Sequence, residues 1–200
     1  EVKNIIECKY HLSYPYVFKY RNKIYLIPES YQAKRLEIWE SVNFPYKWKL
    51  HKTLFHGKKL VDTSLIKFRN NYWLFTNISD DGFDDFTNEL HVYRVNNPLL
   101  GKLEPHHKNP VITGCETARN AGPLFYQNNK DLIRPSQAYV DGVYGKYISF
   151  NKIEKLDIKE YKEKIIKRIN PNFKRNIIGV HHISSLNDKS VIDVFKKKER

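Results

Sequence analysis

The chain is predicted to be all-β, a propeller built from repeated four-stranded units. Three observations predict it: a composition rich in residues that favour sheet, a β-hairpin that recurs along the chain, and a pair of alternating strands behind each hairpin. The 200 residues include 14 Tyr, 11 Phe and 3 Trp, and aromatic side chains fit a pleated, half-buried surface. This length makes one domain with a sizeable core. Residues 1–195 are read as a single, incomplete propeller domain and 196–200 as a basic tail.

The hairpins come in order as Tyr14 to Ser30 (YPYVFKYRNKIYLIPES), Asp62 to Asn77 (DTSLIKFRNNYWLFTN) and Asn120 to Gln137 (NAGPLFYQNNKDLIRPSQ). Each is an apolar strand, a short polar turn (Arg21-Asn22-Lys23, Arg69-Asn70-Asn71, Gln127 to Lys130) and a second apolar strand. RLEIWES, ELHVYRV and KYISFNKI follow them with the period-2 alternation of a half-buried strand. WKLHKTLF and LEPHHKNPVIT supply a fourth strand to the first two units. Four strands in about 50 to 60 residues is a propeller blade. Gly179 to Phe195 repeats the hairpin once more, turning at Asn187-Asp188-Lys189. Three full units and a partial one suit a ring of four or five blades; a β-sandwich is the alternative. Residues 153–169 admit two readings, because Ile153, Tyr161, Ile165 and Ile169 are spaced for a helix face but could equally belong to outer strands.

A formal charge of +13 raises the question of nucleic acid, since clustered Lys and Arg release counterions from phosphate. The lysines are scattered over turns (Lys58, Lys59, Lys130, Lys146) and gather only at Lys196 to Lys198, and no nucleic-acid motif is present, so no specific nucleic-acid partner is expected. Cys8 and Cys115 match no metal or redox spacing and are expected to be buried, unpaired thiols. With no transmembrane segment and no leader, a soluble, cytoplasmic setting is the expectation. Asn77-Ile78-Ser79 is a glycosylation triplet that would matter only in a secreted protein. The chain opens at Glu1 and contains no Met, as expected of a piece of a longer protein.

In a hairpin, the start of the first strand and the end of the second lie at the same end. His11, Ser13 and Tyr14 therefore share a rim with Glu29 and Ser30, Asp62 with Asn77, Arg119 and Asn120 with Arg134 and Gln137, and His181 with Asp193. If the innermost strands begin there, these groups converge on the mouth of the central channel. An Arg beside a strand wants an anion or a planar hydrogen-bonding partner; Arg134 is expected either to bind substrate or to pair with Glu29 or Asp62 and tie blades together. Planar hydrogen-bonders of this kind suit vicinal sugar hydroxyls, and Tyr14, Trp73, Phe83 and Tyr139 offer aromatic faces, though core packing is the other reading of them. Glu29, Asp62 and Asp193 are the carboxylates from which a glycosidase acid/base pair could be drawn. The Asp80 to Asp85 loop lacks the spacing of a calcium loop and reads as solvated. Neighbouring histidines on a strand point to opposite faces, so neither pair, His181-His182 or His106-His107, is expected to ligate one metal. One of the former is read as a rim hydrogen-bonder, the latter pair as surface. No cofactor or metal is expected, and phosphate loops, the nucleophile elbow and zinc signatures are absent.

The segments HLSYPYVF…IYLIPES, VDTSLIKF…YWLFTN, ARNAGPLF…LIRPSQ, YGKYISFNKI and GVHHISS…VID resemble the propeller domain found N-terminally in plant glucosamine inositolphosphorylceramide transferases and beside formyltransferase modules in bacterial surface-sugar proteins. The likeness extends in order over nearly the whole chain. That domain in turn resembles five-bladed furanosidases, which implies a β-propeller of the five-bladed type with about four blades in this chain. In those hydrolases the catalytic base sits on the first blade, whose equivalent would lie upstream of Glu1. The resemblance implies a carbohydrate-recognition module acting in synthesis or modification of surface glycans, with a sugar, nucleotide-sugar or lipid-linked sugar as ligand and an upstream domain or partner transferase. In that reading His11, Ser13, Tyr14, Arg119, Asn120, Arg134, Gln137, His181 and Asp193 bind substrate. The alternative is a glycoside hydrolase or glycosyltransferase with Glu29 as acid, Asp62 as base or modulator and Arg134 orienting substrate.

Overall fold

The computed structural model describes residues 3–79, 84–186 and 189–197. Strands β1 (Ser13–Tyr20), β2 (Lys23–Glu29), β3 (Leu36–Asn43) and β4 (Lys47–Leu54) form the first antiparallel sheet in chain order. The second holds β5 (Lys59–Phe68), β6 (Asn71–Ser79), β7 (Glu89–Val95), β8 (Leu103–Pro105) and β9 (Ile112–Thr113), with β8 and β9 both pairing β7. The third holds β10 (Phe125–Gln127), β11 (Asp131–Val140), β12 (Val143–Leu156) and β13 (Tyr161–Ile169). A partial fourth unit pairs β14 (Ile177–Gly179) with β17 (Phe195–Lys196) and β15 (Ile183–Leu186) with β16 (Lys189–Ile192).

The turns are written in the sequence. Arg21 and Asn22 both adopt positive φ between the paired Tyr20 and Lys23, and Asp141 and Gly142 do the same between Val140 and Val143. Two-residue loops of this type match the right-handed twist of the flanking strands. The fourth strand of the second blade is interrupted because the Asn109 side chain takes over the ladder, accepting from the Val92 N–H at 2.9 Å and donating to its carbonyl at 2.8 Å. That folds His106 inward: it is buried, not at the surface as the sequence suggested.

Packing explains why the strands read as they do. On β6, Leu74 and Ile78 enter a core shared with Tyr25, Ile27, Leu36 and Ile38 of the first blade, while Trp73 and Phe75 enter one shared with Leu124, Leu132, Ile153 and Leu156 of the third. A strand buried on both faces is apolar without alternation. Trp73 is thus a core residue rather than a sugar platform; Trp73→Ala would cost about 3–5 kcal/mol. A third, smaller core of Ala121, Ile148 and Val180 joins the third blade to the partial unit. Sheets stacked in succession through separate cores are blades, not a sandwich.

Residues 153–169 are strand, not helix: β12 continues to Leu156 and β13 starts at Tyr161. Register shifts at Phe150/Asn151 and Ile153/Lys155 break strict alternation and mimic the helical spacing. The Lys and Glu residues of β13 suit an outermost strand, where charge discourages edge pairing. Cys8 and Cys115 are free but only half-buried. Asn77 is sealed among the blades, its amide donating to the carbonyls of Glu89 and Ala118 at 2.7 and 2.9 Å, which removes it as a glycosylation acceptor in the folded chain. Asp80, Asp81, Phe83, the turn residues Asn187 and Asp188, and Lys198 lie outside the described residues. No helix among the described residues is long and apolar enough to cross a membrane.

Candidate functional site

Tyr14 and Asp62 occupy matching places, near the start of the first strand of their blades. Both carry positive φ, 42° and 51°, and both sit where the strand register shifts, between Ser13 and Tyr16 and between Val61 and Ser64. Left-handed backbone in a non-glycine residue costs on the order of 1–3 kcal/mol, and a bulge re-aims the side chains around it. The repeated bulge turns both side chains toward a common opening of about 660 Å³.

That opening is lined from every unit. The first blade contributes His11, Ser13, Tyr14 and Glu29, the second Asp62, the third Arg119, Gln137 and Tyr144, and the partial unit His181, His182, Ser184 and Asp193. Two anticipated residues are absent. Asn120 is fully buried one layer below, donating from its side chain to the Asp62 carbonyl at 2.9 Å and from its N–H to Asn77 Oδ1 at 2.9 Å; it holds the bulge of Asp62 in place rather than lining the pocket. Arg134 is 0% exposed. Its guanidinium meets Glu163 on β13 through Nε at 2.9 Å and Nη2 at 2.6 Å, and also donates to the Thr117 carbonyl at 2.6 Å and Asn120 Oδ1 at 3.1 Å. Neither a substrate nor Glu29 or Asp62 can reach it. It anchors the segment that carries Arg119.

Arg119 is the arginine of the pocket. Its Nε donates to Asp62 Oδ2 at 2.7 Å and its guanidinium lies 5.0 Å from the centre of the Tyr144 ring. Burial opposes its charge, but Asp62 and Tyr144 outweigh this and hold the guanidinium firmly protonated. Tyr144 follows the Asp141-Gly142 turn, and burial pushes its hydroxyl up to about 12. Sequence reasoning passed over it, although an Asp-Gly pair between alternating strands marks a hairpin whose next residues return to the same rim.

Glu29 has a different environment. Among the described residues no Lys, Arg or His side chain forms an ion pair with it, and its carboxyl faces the Ser13 hydroxyl and the Asp62 N–H. Burial first, then the nearby Asp62 charge, push it up to about 7, against the pull of Arg119. Gln137, 3% exposed, donates from Nε2 to the Asn120 carbonyl at 3.1 Å, leaving Oε1 with no hydrogen-bond partner among the described residues.

The histidines are placed by close backbone contact. A Cβ on Gly122, at φ 133°, would lie 1.9 Å from the Ile183 carbonyl oxygen, and one on Gly145 would lie 2.6 Å from His181 Cβ. Only glycine allows the partial unit to dock this near. Asp193 then accepts from the N–H groups of His181 and His182 at 3.1 and 2.7 Å and lies 2.7 Å from His181 Nδ1. Burial disfavours its charge, yet these contacts prevail and hold the carboxyl below its usual range. His182 packs edge-on to Tyr14 at 4.8 Å, and burial lowers its pKa. Both histidines line the pocket, where one was expected. Tyr139 stays largely exposed outside the lining, and no three His, Cys, Asp or Glu side chains among the described residues are grouped to hold a metal.

This succession of antiparallel sheets is a fold also seen in solved structures. A thermostable family-43 glycoside hydrolase superimposes with a TM-score of 0.63 and 16% identity over 94% of this chain and 64% of its own. A family-43 β-xylosidase/α-arabinofuranosidase from a compost microbial metagenome, in complex with xylotriose and calcium-free, gives 0.60 and 12% over 92% and 70%. The protein is therefore an all-β domain with the five-bladed propeller fold of those hydrolases, a likeness of fold alone at this identity. Residues 2–184 match the family described as glucosamine inositolphosphorylceramide transferase 1, N-terminal, and the chain belongs to that family. Glucosamine inositolphosphorylceramide transferase 1 from Oryza sativa subsp. japonica is 39% identical over 163 residues, and that from Arabidopsis thaliana 39% over 159, each covering 77% of this chain and 20% of the relative. The chain spans about a fifth of the length of these relatives.

Proposed function

We propose that the pocket recognises a carbohydrate and that the domain presents a sugar, nucleotide-sugar or lipid-linked sugar to a transferase activity during synthesis or modification of surface glycans. The observation that carries this reading is the convergence of Glu29, Asp62, Arg119, Gln137 and the two histidines, from every unit of the propeller, on one opening of about 660 Å³ walled by Tyr14 and Tyr144. Planar carboxylate, amide and guanidinium groups match paired sugar hydroxyls, and the volume accommodates one or two sugar rings. The names of the relatives, which are glycolipid transferases, and the xylotriose in one solved neighbour agree with it.

A second reading rests on Glu29 alone. A carboxyl near 7 beside a carboxylate paired to Arg119 is the kind of split that supplies a general acid, so a hydrolytic or transfer step at Glu29 is the alternative. The test is a thermal-shift screen of the protein against sugars, nucleotide-sugars and oligosaccharides, with Tyr144→Ala and Glu29→Gln in parallel, followed by product analysis. A sugar that raises the melting temperature of the parent but of neither variant supports recognition at this pocket. Turnover abolished in Glu29→Gln favours the enzymatic reading, and no shift with any sugar rules out both.

A further inference from the structure

Tight turns between strands are ordinarily polar, and the blades follow this at Arg21-Asn22, Arg69-Asn70, Asn128-Asn129 and Asp141-Gly142. The turn from β3 to β4 does not. It is Phe44-Pro45-Tyr46, between the paired Asn43 and Lys47. Val42, Phe44, Tyr46 and Leu50 are 62, 52, 55 and 44% exposed, so one hairpin carries a concentrated apolar surface in solvent. The tip is preformed. The Tyr46 N–H donates to the Asn43 carbonyl at 2.7 Å, the Trp48 indole N–H donates to the Pro45 carbonyl at 2.7 Å, and the Phe44 and Trp48 rings meet edge-on with centroids 6.1 Å apart. These contacts hold the shape of the turn and leave its rings uncovered, as at an interaction surface.

The charge around the tip has one sign. Residues 41–50 include two lysines and no acid. Lys47 has no ion-pair partner among the described residues, Lys3 lies 5.4 Å from the centre of the Tyr46 ring, and the single Glu40 carboxylate is shared by Lys23 at 3.0 Å and Lys49 at 3.3 Å. The antiparallel register brings the Arg21-Asn22 turn to the same end of the sheet. We propose that this hairpin docks the domain on a lipid surface bearing anionic headgroups, with Phe44, Tyr46 and Trp48 at headgroup level and Lys47, Lys49 and Arg21 on the lipid charges. Trp and Tyr settle at the membrane–water boundary, where one end of the ring is apolar and the other wet, and each Lys or Arg near an anionic surface adds attraction. A second copy fits less well, because a two-fold contact between tips would set these lysines against their own counterparts. The docking is independent of what the pocket binds. β2 reaches the pocket at Glu29 and β3 returns from Leu36 to Asn43, so the tip lies about 25 Å away and leaves the pocket open.

The experiment is flotation of the protein with vesicles of phosphatidylcholine alone and of phosphatidylcholine containing about one third phosphatidylserine. The expected result is flotation with the anionic vesicles, weakened about tenfold or more by Phe44→Ser with Tyr46→Ser and by Lys47→Gln with Lys49→Gln. Lys164→Gln with Lys167→Gln, which removes the same charge from the exposed face of β13, should change it by less than about twofold. Should a tip variant fail to fold, the unmodified protein carries the test: lipids brominated on their acyl chains must quench tryptophan emission, because Trp48 stands at the tip while Trp73 is sealed in the core. Absence of flotation, equal losses from the tip and β13 pairs, or unquenched emission overturns the proposal and leaves the carbohydrate reading untouched. A dimer that Phe44→Ser with Tyr46→Ser converts to monomer, with no vesicle binding by either, overturns it too and assigns the tip to a second copy.

Discussion

Arg119 and Arg134 lie in the same blade and each pairs with a carboxylate, yet they serve opposite ends. Arg134 is enclosed between the second and third blades with its donors directed at Glu163, Thr117 and Asn120. Arg119 faces the opening, stacked on Tyr144 and bonded to Asp62. The contrast teaches that an arginine next to a strand identifies a network, and that only the partner's location says whether the network builds the fold or meets a ligand. Here the sealed pair positions the segment that carries the open one.

The contrast is sharpest at Arg134. Arg134→Ala leaves Glu163 buried without a counter-charge and should lower stability by about 3–5 kcal/mol, read as a shift in the urea midpoint. A variant that keeps its stability and loses only sugar binding would reverse the two roles. Next is the docking of the partial unit. Gly122→Ala puts a methyl group on the Ile183 carbonyl and should cost about 3 kcal/mol through overpacking and backbone strain, with limited proteolysis cutting first in the last hairpin. Arg119→Ala, at the edge of solvent, should cost about 2 kcal/mol and, unlike Arg134→Ala, should abolish sugar-induced thermal stabilisation at temperatures where the protein remains folded.

The smallest effect is a pH dependence. The folded Glu29 carboxyl is raised to about 7 from 4.5, so the native state holds this proton more tightly than the unfolded chain. Its contribution to stability is therefore full below about 4.5 and is lost as pH rises through 7. Relative to the parent, Glu29→Gln should gain on the order of 2 kcal/mol between pH 5 and pH 8, measured as the difference in unfolding free energy at the two values. No change in that difference would show Glu29 to be solvated like an ordinary surface carboxylate.

The hairpins were legible because their turns and apolar runs are local, and so was the rim, because the first-strand start and second-strand end of any hairpin must coincide. Tyr14, Glu29, Asp62 and Gln137 are brought to the rim by that geometry, and the bulges at Tyr14 and Asp62 turn those two toward the pocket. Residues 153–169 were ambiguous because two register shifts disturb the alternation, and Trp73 could not be separated from an exposed aromatic without knowing that β6 is covered on both faces.

By itself, then, the sequence determined the order of strands, the all-β class, and the set of polar side chains that end up at one end of the blades, since turn chemistry and period-2 alternation act between near neighbours. Only the tertiary structure decided which of those side chains are open to a ligand. Arg134 is closed off by Glu163 from the outermost strand of its own blade, Asn120 by Asp62 and Asn77 of the blade before, and Glu29 is left without an ion-pair partner among the described residues because Arg119 reaches Asp62 instead. These are contests between partners distant in the chain, resolved by which charge lies nearest once the blades are packed.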